Sequence, residues 1–150
     1  MPQTVPLPLY TSAGLTTSVT AYTSGDQLGT EQTLSPGRLA NGQLYLTGAL
    51  LIDRAAVLGA TDVYIYSAAT TPATDNNAAS WSDGDAANTL AVLNLTQVNS
   101  SALNKTVTWY GRMPFTYTGT QLFVDLVTRT GNSFFTAVGD ITLQLWVEIP

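Results

Sequence analysis

Ile141-Thr142-Leu143-Gln144-Leu145-Trp146-Val147-Glu148-Ile149 is the stretch that decides the fold. Ile141, Leu143, Leu145, Val147 and Ile149 alternate with Thr142, Gln144, Trp146 and Glu148, a period of two held over the whole run. A strand places such a row on one face of a sheet, whereas a helix would scatter it around its axis. Leu122, Val124 and Leu126 repeat the pattern, with Gln121, Asp125 and Arg129 on the opposite face. Leu44, Leu46, Leu50 and Ile52 read as a further inward row, with Gly48 leaving a gap where a neighbour approaches closely.

Shorter runs extend the set. In 62–66, Val63 and Ile65 share one face and Tyr64 and Tyr66 the other. Residues 90–95 change phase midway, which predicts a bulge or a strand covered on both faces. Residues 106–110 carry Val107 and Trp109 on one side, and 15–22 and 27–34 read as two weaker strands around the Ser24-Gly25-Asp26 turn. Turn clusters separate these runs, among them Ser35-Pro36-Gly37, Asn41-Gly42, residues 70–77 and 82–85, and Thr130-Gly131-Asn132. A single helical turn fits residues 85–90.

The expectation is an all-β, single-domain antiparallel jelly roll or β-sandwich of about eight strands. Its core is expected to hold Leu46, Leu50, Ile52, Val63, Ile65, Leu93, Val107, Leu122, Val124, Leu126, Ile141, Leu143, Leu145 and Val147. Residues 1–14 read as an extended N-terminal arm and 15–150 as the domain, because Pro6 and Pro8 restrict that segment to an arm or a sheet edge.

At 150 residues the chain is long enough to bury a core without staples. There is no Cys and no His, which removes disulfides, thiol catalysis, zinc sites built on these residues and any imidazole-activated nucleophile. Missing cysteines fit synthesis in a reducing cytosol, although their absence fits any compartment. Charged residues make up only 10%, against roughly 25% in an average domain, and Thr alone supplies 24 positions. Net charge is −5 with a single lysine, Lys105, so no basic patch can track phosphates and nucleic acid is not an expected partner. No apolar run approaches the roughly 18 residues of a membrane span, so no membrane partner is expected. Residues 1–10 lack a positive n-region and are broken by Pro2, Pro6 and Pro8, unlike a secretory signal.

Without His, acid–base chemistry would rest on eight Asp, two Glu, seven Tyr and one Lys. Paired carboxylates hydrolyse glycosides, yet Asp26 follows Gly25, Asp140 follows Gly139, and Asp83 and Asp85 flank Gly84, positions where Asp closes turns onto its own backbone. The expectation is therefore no catalytic residue and no enzyme. Asp75-Asn76-Asn77 and Asp83-Gly84-Asp85 with Asn88 are the densest oxygen clusters, but they lack the spacing of an EF-hand loop, and no metal or other cofactor is expected. Asp125 and Arg129, four apart on one outward face, read as a surface ion pair, and Asp53-Arg54 as a structural strand end. Trp81, Trp109 and Trp146 suit packing or a protein interface, with sugar stacking as the competing role.

Tyr22-Thr23-Ser24-Gly25-Asp26-Gln27-Leu28-Gly29 resembles the opening signature of small jelly-roll structural proteins of tailed-bacteriophage heads. Asp53, the 62–66 strand, Asp75-Asn76-Asn77-Ala78-Ala79, Ser82-Asp83-Gly84-Asp85 and the tail from Gln121 through Leu143 are similar in order. The likeness runs from about Tyr22 to the end and leaves out residues 35–44 and the arm. It implies a capsid decoration or cement protein, made in the host cytoplasm and carried on the outer surface of the virion, with the major capsid protein as partner. Few charges and a net negative balance suit a permanently assembled outer surface. Edge strands without lysine guards and the apolar arm suggest a homotrimer, with Val5, Leu7, Leu9, Tyr10, Trp81 and Trp146 as subunit or capsid interface residues. The alternative is a glycan-binding head adhesin or carbohydrate-binding module using exposed Trp and the Asp-rich loop with calcium.

Overall fold

The computed structural model describes residues 7–10, 15, 17, 20–34, 42–71, 74–119, 121–131 and 140–148; at 7–10, 42, 43, 115 and 117 it describes the backbone alone. The alternating tail forms a strand, Ile141–Glu148, whose burial alternates along its whole length. In chain order the elements are β1 (Leu7–Tyr10), β2 (Gln32–Leu34), β3 (Gly42–Asp53), β4 (Thr61–Tyr66), α1 (Asp83–Ala87), β5 (Thr89–Leu95), β6 (Gln97–Ser100), β7 (Lys105–Tyr117), β8 (Leu122–Thr128) and β9 (Ile141–Glu148). They build an all-β sandwich of two antiparallel sheets, one ordered β1-β9-β3-β7-β6 and the other β2-β8-β4-β5.

The core lies between the inner faces. Leu143, Leu145 and Val147 of β9 and Leu44, Leu46 and Leu51 of β3 meet Val63 and Ile65 of β4 and Leu122, Val124 and Leu126 of β8 in one buried cluster. Each such side chain contributes about 1.5–3 kcal/mol by leaving water, so the alternation is itself the main source of fold stability.

Leu50 and Ile52 do not belong to this core. The register of β3 against both neighbours shifts between Leu46 and Gly48. One extra residue reverses the parity of every side chain that follows. Ala49, Leu51 and Asp53 therefore turn inward and are buried, while Leu50 and Ile52 are half-buried on the outer face. Gly48 does receive a neighbour, the ring of Trp146. The phase change in 90–95 is also a bulge: Ile65 pairs with Ala91 and Tyr66 with Thr89, so Leu90 is the extra residue.

Other expectations shift. Leu15, Thr17, Thr20, Ala21 and Tyr22 lie outside the named strands, and the 27–34 strand shortens to β2. The helical turn begins earlier than expected, at Asp83, because Ser82 caps it and Asp85 answers in a capping box. Residues 7–10 pair along β9 as an edge strand, with Leu7 opposite Val147 and Leu9 opposite Leu145. The rest of the arm, including Val5, and the Ser35-Pro36-Gly37 turn lie outside the described residues.

Candidate functional site

The connection from β4 to α1 positions the most distinctive chemistry of the chain. Leaving β4, it crosses the outer face of the four-stranded sheet at Thr70, above Asp125 of β8. It then reaches the segment beside β8, where Gln27 N–H donates to Asn77 O (2.8 Å), Asn76 N–H to Gln27 O (2.9 Å) and Ala79 N–H to Gly25 O (2.9 Å). It returns over β4 with Trp81 packed against Tyr64, ring centroids 4.4 Å apart and planes tilted by 34°.

Beneath this crossing Asp125 is fully buried, contrary to the surface ion pair expected with Arg129. The outward parity was right, but the crossing covers it. Asp125 Oδ1 accepts from Gln27 Nε2 (2.8 Å), and Oδ2 lies 3.0 Å from Thr70 Oγ1. Thr70 Oγ1 is also 2.6 Å from Glu31 Oε2, which accepts the Thr70 N–H at 2.7 Å as well. A hydroxyl carries one hydrogen. It can therefore donate to only one of the two carboxylates at a time, and Glu31 and Asp125 compete for it. Burial pushes the Asp125 carboxyl up, the hydrogen bonds from Thr70 and Gln27 pull it back, and the Glu31 charge raises it further. Burial and the neighbouring carboxylates also raise the Tyr66 phenol, whose buried oxygen meets no hydrogen-bond partner among the described residues.

The remaining carboxylates hold the chain in place. Asp53, fully buried, accepts the backbone N–H groups of Ala55 (2.8 Å), Val57 (2.7 Å) and Leu58 (2.6 Å). Asp75 Oδ1 accepts from Tyr22 Oη and from Gly29 N–H, both at 2.6 Å. Asp26 accepts the Thr23 N–H and hydroxyl, closing the turn expected there. Asp85 takes the Ser82 N–H and hydroxyl, and the Ser82 hydrogen bonds hold its carboxyl below the usual range. Among the described residues no three metal-ligating side chains converge.

Beside this polar cluster lies an open cleft of about 380 Å³, lined by residues that include Trp81, Tyr64, Asp62, Arg129 and Ser24. Its walls are fixed by backbone bonds: Gly25 N–H to Thr128 O (2.7 Å), Thr128 N–H to Asp26 O (3.0 Å) and Arg129 N–H to Ala60 O (2.9 Å). On one side Asp62 Oδ1 meets Arg129 Nη1 at 3.4 Å and accepts from Asn94 Nδ2 at 2.7 Å. Burial, reinforced by the Asp62 charge, raises the Tyr64 phenol despite the opposing effect of Arg129, so it stays protonated.

Of the interface residues expected from sequence, Trp81 is in this cleft. Trp146 is elsewhere, half-buried on the outer face of the other sheet beside Tyr110, with centroids 6.4 Å apart. Leu7, Leu9 and Tyr10 lie in β1, and Trp109 packs against the core. Sequence reading missed Asp62 and Arg129 as a pair, since 67 positions separate them. Compared with protein-family models, curated proteins and solved structures, the chain matches none.

Proposed function

We propose that the chain is a structural virion protein, a decoration or cement protein on the outside of a tailed-phage head, with a jelly-roll fold and a trimeric assembly. The carrying observation is how the motifs behind the family likeness are used. Tyr22 and Gly29 both donate to Asp75, Asp26 closes its turn, Asp53 gathers three backbone N–H groups, and Ser82 and Asp85 cap α1. These residues hold a scaffold, and such a use fits a protein whose task is to persist in an assembly.

Strand order supports the jelly-roll reading. With β6 set aside, β1 pairs with β9, β2 with β8, β3 with β7 and β4 with β5, first with last in nested antiparallel pairs shared between two sheets. Two Greek keys wrapped in this way are the jelly-roll pattern.

The edges support assembly. β5 and β6 are edge strands joined through Thr96 alone, and neither carries a charged residue. Val92 (37% exposed), Val98 (39%) and, just beyond, Leu103 (81%) leave apolar surface along them. An edge without charged guards invites pairing, and closed cyclic symmetry satisfies it without fibre growth. The test is to mix the purified protein with DNA-filled heads lacking it and sediment the heads. Saturable co-sedimentation supports the proposal; protein that stays in the supernatant at every ratio overturns it.

A further inference from the structure

We propose that the cleft beside Trp81 is a subsite for a neutral saccharide, one pyranose ring lying on the Trp81–Tyr64 pair with its hydroxyls on Asp62 and Arg129. The inference goes beyond decoration and does not depend on it.

The chemistry of the walls selects the ligand. Trp81 packs over Tyr64, ring centroids 4.4 Å apart and planes tilted by 34°, and both rings line the cleft. Alongside them stand a carboxylate, which only accepts hydrogen bonds, and a guanidinium, which only donates. A ligand must therefore be flat and apolar on one side while carrying groups at its edge that both donate and accept. A pyranose has this form: its C–H face covers an aromatic ring, and each hydroxyl works in both directions.

Charge narrows the class. Asp62 and Arg129 already face each other at 3.4 Å, so the site is close to neutral overall. An acidic ligand would have to displace Asp62 from Arg129 and face its carboxylate, and a cation would meet the guanidinium. A neutral polyol can join the pair without breaking it. Arg129 retains 46% of its side-chain exposure and Asp62 14%, which leaves donors and an acceptor within reach of solvent.

Preorganisation and size complete the case. The walls are held by backbone hydrogen bonds from Gly25 and Ala79 and by Ser24 Oγ donating to Arg129 O at 2.8 Å, so little order is lost on binding. A volume of about 380 Å³ lies at the small end of the roughly 300–1,000 Å³ typical of ligand pockets.

The test is a saturation-transfer NMR and tryptophan-fluorescence titration with methyl glucoside, galactoside and mannoside and with N-acetylglucosamine, to about 20 mM, so that dissociation constants of about 1 mM are read to saturation. Asp62→Asn, Arg129→Gln and Trp81→Ala are compared with Trp146→Phe on the opposite sheet, circular dichroism confirming the fold of each. Should Trp81→Ala not fold, the two polar variants carry the decision. The expected result is saturable binding to at least one neutral sugar, weakened about ten-fold or more by Asp62→Asn, the loss of one charge-assisted hydrogen bond, and unchanged by Trp146→Phe. No binding across the panel, binding only to glucuronate or another acidic sugar, or binding that survives both polar variants overturns the proposal. None of these outcomes bears on whether the chain coats a phage head.

Discussion

Gly48 lies directly beneath the ring of Trp146: a Cβ built on Gly48 would stand 2.8 Å from Trp146 Cε3. The two residues are also cross-strand partners, so neither can shift without disturbing the β3–β9 ladder. Gly48→Ala is expected to force the indole off its seat and to destabilise the protein by about 1–3 kcal/mol in urea denaturation. In a Trp146→Ala background the same substitution should be nearly neutral, because the clash is gone. Equal losses in both backgrounds would contradict this account.

Asp53 anchors the bend after β3 through three backbone N–H groups. Asp53→Ala leaves those donors buried without an acceptor and is expected to lower stability by about 2–4 kcal/mol. Asp53→Asn keeps one acceptor oxygen and should fall between the two. Thermal denaturation checks the order.

The Glu31–Thr70–Asp125 arrangement sets a direction for pH dependence. The folded state raises the Asp125 pKa above its unfolded value near 3.9. Such a group contributes stability that is fully present below the unfolded pKa and is lost as pH rises through the folded one. Asp125→Asn keeps the shape of the neutral acid without ionising. The variant should therefore gain on the parent protein as pH rises from about 4 through the raised pKa of Asp125 and hold level beyond it, read by urea midpoints. A difference independent of pH, or one that moves in the parent's favour, would contradict a raised Asp125 carboxyl.

How far the sequence revealed these features depends on whether the signal was local. Alternation in β9, β8 and β4 announced their inward rows because a two-residue period is written in neighbouring positions. Leu50 and Ile52 escaped because a bulge before Gly48 reverses parity while leaving the composition of the run unchanged. Alternation along β8 places Asp125 on the outer face, but its burial depends on Thr70, 55 positions away, crossing above it. Arg129 was matched to Asp125 by proximity along one strand, whereas its partner Asp62 lies on the neighbouring strand. The Asp residues of turns were legible, since Asx chemistry acts within a few residues.

Trimer formation is checked by multi-angle light scattering of the isolated protein. The expected mass is three times 15.9 kDa, and Val98→Lys on the β6 edge should reduce it to a single chain by placing a charge on that edge. A parent protein that stays at 15.9 kDa over the whole concentration range would refute a stable trimer.

Quantitative mass spectrometry of purified particles from the source of this chain tests its proposed role most directly. A decoration protein should appear at a fixed ratio to the major capsid protein and be cleaved from intact particles by added protease before the shell opens. Absence from the particles, or a trace amount that varies between preparations, would contradict a structural place on the head.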